Sequence, residues 1–258
     1  MAKDFIKAFW EKQAITYKDS HLVSWGDNYM IDLEIETIGQ YITSGTNVLD
    51  VGCGNGYSTL RQYENCKVKK IVGVDYCKNM IAIANRSKQK LKIGNNAKFV
   101  LGDIRKLFFD NDTFDVVYTT RALINLSNWE QQLQGIEECI RVTRKGGKII
   151  FSEAFWEPLV LLNSMRTICN LSPLVEHDFN RYLKEQKLIE FLHAKKYKYE
   201  INDFSSVYYF GSRILRELIT KADDYPGYSN PINDFFYKLE NEYSGGKFGI
   251  QKAIIIYK

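Results

Sequence analysis

The feature that most constrains this chain is Asn47-Val48-Leu49-Asp50-Val51-Gly52-Cys53-Gly54-Asn55-Gly56, an apolar run that ends in an acid and then in three closely spaced glycines. A short apolar run of this kind reads as a buried strand. The glycines let the chain turn sharply into a helix and leave backbone bare enough for a ligand to lie against. Three further runs follow: Ile71-Val72-Gly73-Val74-Asp75, Phe99-Val100-Leu101-Gly102-Asp103 and Phe114-Asp115-Val116-Val117-Tyr118. Two of them also end in an acid. Parallel strands that each deliver a polar group to one sheet edge define the place where open α/β folds bind ligands.

Around these strands the pattern predicts helix over 5–42, interrupted near Ser24-Trp25-Gly26-Asp27, and crossover helices over 78–92 and 129–142, the second stopped by Lys145-Gly146-Gly147. A fifth strand is predicted over 148–153. After Phe155 the alternation is lost: helix is predicted over 159–170, broken by Pro173, and over 179–194, then a sixth strand over 199–204. A second insertion, 208–246, contains Tyr208-Tyr209-Phe210, Pro226 and Pro231 and precedes a last strand over 250–257. The three aromatics are expected at a strand edge, as core. With right-handed crossovers these elements make a doubly wound, Rossmann-like α/β sheet of seven mostly parallel strands, the last antiparallel. The expected organisation is a helical lid (1–45), a core (46–156 and 195–258), a helical substrate-binding insertion (157–194) and the second insertion (208–246). Loops at the ligand edge carry specificity while the scaffold carries rigidity.

Length and composition set outer bounds. With 258 residues, 45% of them hydrophobic, the chain can bury one full core. A net charge of +4 is too mild to imply nucleic acid, and its short lysine clusters read as solvated element ends. No apolar stretch is long enough to span a bilayer, and the start of the chain, with Asp4 close to Met1, does not read as a signal peptide. Five cysteines without a C-x-x-C pair fit a reducing compartment, so a cytoplasmic protein is expected.

In the glycine turn and the acids that follow it, the chain resembles the class I S-adenosylmethionine-dependent methyltransferases, over about 47–155 and again at the last strand. The resemblance implies S-adenosylmethionine as cofactor, S-adenosylhomocysteine as product and no metal. It assigns the methionine moiety to Gly52, Gly54 and Gly56, the ribose hydroxyls to Asp75, and the adenine amine to Asp103 with Ile104. Asp50 before the turn and Thr119 at the end of the fourth strand complete the expected cofactor set. A dinucleotide-binding oxidoreductase also pairs a glycine turn with a later acid, but its spacing is G-x-G-x-x-G, and Asp103 has no counterpart there.

Methyl transfer from a sulfonium is an in-line displacement, so alignment and exclusion of water are the main tasks. An alcohol acceptor also needs a general base. His177, in the first insertion beside Glu176 and Asp178, is the first candidate, and His21, in the lid, is the second. His193 reads as structural. Arg121, Glu153, Asn163, Arg166, Asn180 and Tyr182 are expected to bind substrate, Arg121 by its bidentate fork. The pattern Glu153…Leu162-Asn163-Ser164-Met165-Arg166 resembles a bacterial small-molecule subgroup associated with surface-polysaccharide biosynthesis. The expected reaction is therefore methylation of a hydroxyl on a small polar molecule, with a sugar or nucleotide sugar as one acceptor class. N-methylation of a small amine and a non-catalytic cofactor-binding scaffold are the alternatives. The expected partner is the small molecule alone, with neither nucleic acid nor membrane insertion.

Overall fold

A computed structural model describes residues 4–220, 228 and 230–258. The chain begins with α1 (Phe5–Tyr17), a 3-10 turn (His21–Val23) and α2 (Asn28–Tyr41), then enters the sheet through β1 (Asn47–Val51). The expected interruption at Ser24–Asp27 lies between these two helices. The alternation that follows is α3 (Tyr57–Cys66), β2 (Lys70–Asp75), α4 (Lys78–Lys90), β3 (Ala97–Leu101), β4 (Phe114–Thr120), α5 (Trp129–Val142) and β5 (Thr143–Ala154). The sheet is completed by β6 (Lys198–Asn202) and β7 (Gln251–Tyr257), in the order β3-β2-β1-β4-β5-β7-β6. Only the β5–β7 and β7–β6 pairs are antiparallel, as expected for an inserted last strand.

Val48, Leu49 and Val51 are fully buried because helices cover both faces of the sheet. One apolar cluster lies under α2 and the late helices, the other under α5 and α7 (Glu185–Ala194). Strand order reverses between β1 and β4, and the crevice at that switch point is where such a sheet receives its ligand. No helix among the described residues is long and apolar enough to cross a membrane.

Three expectations need correction. The helix expected over 179–194 starts only at Glu185. The preceding residues turn their backbone outward to other elements: Arg181 N–H donates to Ile124 C=O (2.7 Å), Leu183 N–H to Ala154 C=O (2.9 Å), and Trp156 N–H to Leu183 C=O (2.9 Å). These bonds replace the helical ladder, and the Glu157 carboxylate then caps α7 by accepting from Glu185 N–H (2.9 Å). The helix expected over 159–170 is α6, Trp156–Ile168, with Pro158 in its first turn, where a missing N–H costs nothing.

The second insertion is helical, so Tyr208-Tyr209-Phe210 does not edge a strand. It consists of α8 (Ser206–Phe210), a π turn (Gly211–Leu215), α9 (Arg216–Ile219) and α10 (Ile232–Glu242). Tyr208 and Tyr209 are buried as expected of core residues. Pro231 caps α10, and Pro226 lies outside the described residues. Finally, Gly146 and Gly147 do not precede β5 but lie within it, at an irregular start where Thr143 pairs with Phe114 before the register shifts.

Candidate active site

The glycine turn is built by close approach. Gly52 N–H and Cys53 N–H both donate to Val74 C=O (2.7 and 3.0 Å), which pulls the turn onto the end of β2. At Gly52, φ is +85° and a Cβ would collide with the Ala122 methyl, so only glycine fits. A Cβ at Gly56 would meet Phe99 at 2.8 Å, whereas at Gly54 it would point into open space. Gly54 therefore presents bare backbone to the cavity.

Asp75 ties the turn to α4. Its Oδ2 accepts from Gly54 N–H (3.0 Å) and its Oδ1 from Cys77 N–H (2.9 Å). Burial pushes its carboxyl up to about 6, with those two hydrogen bonds opposing. Asp50 also lines the cavity, but its side chain is tied to the scaffold. Its Oδ2 accepts from Thr59 (2.6 Å) and Tyr118 (2.9 Å), so it pins β1 to α3 and β4, and burial raises it to about 7. At the far wall, partial burial works to raise Asp103. The Arg105 guanidinium, hydrogen bonded to it at 2.6 Å, outweighs that and holds it below the usual carboxylate range. Ile104 lines the same wall.

The N-terminal segment roofs this crevice. Trp10 Nε1–H donates to Asn125 (3.0 Å), and Phe9 and Trp10 pack on Phe179 with ring centroids 4.5 and 5.8 Å away. Glu11 caps α4 by accepting from Lys78 N–H (2.8 Å) and Asn79 N–H (2.9 Å). Beneath the roof runs one cavity of about 670 Å³, whose walls include Gly52, Gly54, Asp75 and Asp103 and also Trp25, Arg121, Asn180, Tyr182, Tyr209 and Arg213. Among the described residues no group of three or more His, Cys, Asp or Glu could hold a metal ion.

Of the expected substrate residues, Arg121, Asn180 and Tyr182 line the cavity. Arg121 stands at φ +51°, pairs with the buried Glu34 (2.7 Å) and lies over Trp25 (4.9 Å). Burial raises Glu34 to about 7 against the pull of Arg121, and its Oε1 has no hydrogen-bond partner among the described residues. His177 lies exposed at the cavity mouth, stacked on Phe179 at 5.7 Å.

Six expected residues lie off the cavity: Gly56, which is packed closely against Phe99 and Ala84, and five others with structural settings. Thr119 is fully buried and donates to Glu153 (2.6 Å). Glu153, also fully buried, accepts from Ala122, Leu123 and Ile124 N–H at 3.0 to 3.3 Å, so it caps the 3-10 turn after β4 (Leu123–Asn125). Asn163 holds the backbone of Leu174 through both ends of its amide (2.9 and 2.8 Å). Arg166 is buried against Ser172 C=O, Arg213 C=O and Glu217. His21 is not a wall residue, and its ring lies 5.8 Å from Tyr57. His193, as expected, has a structural setting and meets Tyr199 Oη at 3.1 Å.

Sequence reasoning missed Trp25, Arg213, Tyr228 and Gln251 as wall residues. A signal existed for one of them. Arg213 follows the aromatic run Tyr208-Tyr209-Phe210, an unusual place for a cation unless the chain folds to shelter it.

Bare backbone at Gly54, the Asp75 carboxylate at the β2 end and the Asp103–Ile104 wall fit S-adenosylmethionine. Comparison with known proteins agrees: residues 42–205 match the family described as Methyltransferase domain, and the chain belongs to it. It is 30% identical to a demethylmenaquinone methyltransferase of Shouchella clausii, with 77% of this chain and 76% of that protein aligned. It is 31% identical to one from Oceanobacillus iheyensis, where the alignment covers 46% of this chain and 49% of the relative. The chain thus spans about half the length of that second protein. In fold it is similar to the solved complex between the Haloferax volcanii Trm112 methyltransferase activator and the putative methyltransferase, with TM-score 0.60, 16% identity, and 100% and 99% of the two chains covered.

Proposed function

We propose that this enzyme methylates a hydroxyl of a small, ring-shaped polar acceptor. The observation that carries this reading is the single cavity, whose walls include the glycine turn and also Trp25, Tyr182, Tyr209 and Tyr228. Aromatic walls suit the face of a ring, and the guanidinium and amide groups between them suit its oxygen substituents. A sugar or nucleotide sugar has this character. Two relatives are named demethylmenaquinone methyltransferases, and a quinone ring also suits aromatic walls, which makes methylation of such a ring the second reading.

S-adenosylmethionine, when bound, supplies a methyl group on a positively charged sulfur. The chain's own residues do the remainder. Gly52 and Gly54 admit the cofactor against bare backbone, α1 and the Trp10–Asn125 bond exclude water, and the aromatic walls orient the acceptor. His177, on the segment that also carries Asn180 and Tyr182, takes the hydroxyl proton.

A screen of nucleotide sugars, hydroxylated aromatics and small amines, read by S-adenosylhomocysteine release and by the position of the new methyl, tests the reading. Methylation at oxygen supports it; methylation only at nitrogen or carbon overturns it. On an oxygen acceptor, His177→Ala should lower turnover roughly 10²–10⁴-fold with cofactor affinity unchanged. Should that variant keep its turnover, proximity alone drives the transfer.

A further inference from the structure

The least expected group in the cavity wall is Arg213. It is 7% exposed, sits on the π turn after α8, and pairs with Asp27, which is fully buried at the N-terminus of α2. Three tyrosine rings surround its guanidinium: Tyr209 and Tyr228 at 5.0 Å and Tyr208 at 5.5 Å. A buried ion pair costs more to desolvate than its attraction commonly returns, and apolar side chains of similar size hold a fold as well. Asp27 also accepts from Tyr208 Oη–H (2.7 Å) and Met30 N–H (3.2 Å). A π turn inside a helix, likewise, is retained mostly at functional sites.

The unspent hydrogen-bonding groups show what this wall is built to meet. Of the five N–H donors of Arg213, one goes to Ser212 Oγ (2.7 Å), one to Asp27, and another is shared with the Tyr208 hydroxyl; the rest have no partner among the described residues. Gln251 spends its oxygen on the Tyr209 hydroxyl, and its amide N–H groups have no partner among the described residues. Asn180, 9% exposed, leaves both ends of its amide unpaired among the described residues. Donors left over among the described residues, on Arg213, Gln251 and Asn180, thus gather around a guanidinium in an aromatic setting, with the Asn180 oxygen beside them. Such a site favours an oxyanion, for which a planar guanidinium offers parallel N–H groups. Arg213 and the cofactor turn line the same cavity from different elements, the insertion after β6 and the β1–α3 turn.

We propose that Arg213, with the Gln251 and Asn180 amides beside it, anchors a carboxylate or phosphate substituent of the methyl acceptor. The enzyme's substrates are then hydroxyl compounds that carry a negative charge away from the reacting oxygen. This rests on the hydroxyl reading given above. Anchoring the far end of the acceptor fixes the approach of its hydroxyl, so the anchor acts on specificity as well as affinity.

Matched pairs test it: 4-hydroxybenzoate against 4-hydroxybenzamide, glucuronate against glucose, and glucose 6-phosphate against glucose, each assayed for kcat/KM and for the position of the methyl. The charged member should win by about tenfold or more, the range of one charge-assisted contact. Arg213→Lys keeps a cation beside Asp27 but lacks the planar fork, and should bring the pairs close to parity with the KM for S-adenosylmethionine unchanged. The double variant Arg213→Gln, Asp27→Asn removes both charges together and should do the same. Neutral members accepted as well as charged ones, or a preference that survives in both variants, would overturn the inference.

A binding arm needs no turnover. In the protein saturated with S-adenosylhomocysteine, calorimetry should show 4-hydroxybenzoate binding through Arg213, tighter than 4-hydroxybenzamide and tighter than inorganic phosphate. Inorganic phosphate binding at least as tightly as the carboxylate would mark a free-anion site instead and overturn the proposal. The two readings fail separately. Oxygen methylation of neutral compounds alone sinks the anionic anchor and leaves the hydroxyl reading; nitrogen methylation with an Arg213-dependent preference for anions does the reverse.

Discussion

Asp50 and the glycines of the turn show how single residues on one cavity wall hold the scaffold and leave room beside it. The Asp50 carboxyl, raised to about 7 by burial, binds a proton in the folded protein at pH values where the unfolded chain, with an ordinary carboxylate near 3.8, has lost it. Its contribution to stability is therefore present below about pH 4 and lost as pH rises toward 7. Asp50→Asn keeps the shape without the titration. The stability difference between wild type and variant, measured by urea unfolding, should accordingly shift against the wild type between pH 4.5 and pH 7.5; a constant difference would mean that Asp50 titrates normally. At Gly52, alanine should both destabilise the fold and abolish cofactor binding, because the added methyl meets Ala122. At Gly54, where the space is open, alanine at φ +52° should cost about 1–2 kcal/mol of stability yet still weaken the cofactor, since its methyl enters the cavity. Equal loss of stability at the two positions, measured by denaturant unfolding, would contradict this assignment.

Among the elements, the 3-10 turn after β4 depends on one carboxylate. Glu153 receives three backbone N–H groups and the Thr119 hydroxyl in a fully buried setting, and that turn carries Ala122, the close neighbour of Gly52. Glu153→Ala strands all four donors and should cost about 3 kcal/mol or more. Glu153→Gln should recover part of that, because one amide oxygen still accepts. Urea midpoints for the two variants check the order, and an alanine variant as stable as glutamine would refute the capping role. The insertion before α7 shows a related effect. Phe179 to Lys184 carries helical periodicity, yet its N–H groups find carbonyls on β5 and on the turn after β4 and leave the helix unformed. Local propensity loses wherever tertiary partners satisfy the same backbone.

Over the whole molecule, the N-terminal segment is tied to both sides of the cavity. Glu11 caps α4, Trp10 holds Asn125, and the Asn55 side-chain amide donates to Lys18 C=O and Ser20 C=O (both 2.9 Å), so α1 is fastened directly to the walls of the cavity. S-adenosylhomocysteine at one hundred times its Kd should stabilise the protein by about 2.7 kcal/mol. The same addition should slow hydrogen exchange across α1. A rise in Tm without slower exchange in Phe5–Tyr17 would show that the segment does not close on the cofactor.

The sequence by itself determined the sheet and its binding edge. Apolar runs ended by acids, and glycines where positive φ is needed, are local signals: each depends on a few neighbouring residues, so β1, β2 and the turn between β1 and α3 were legible before any folding. The remaining walls of the cavity were not. Thr119, Glu153, Asn163 and Arg166 have the right chemistry for a binding site, but folding surrounds each with partners and uses it as a cap or tie. Arg213, Gln251 and Trp25 come from three distant parts of the chain, and only tertiary packing brings them to one wall. The physical reason is that a strand-and-turn pattern is written in contiguous residues, whereas a side chain's freedom to meet a ligand depends on which of its hydrogen bonds the rest of the fold has already satisfied.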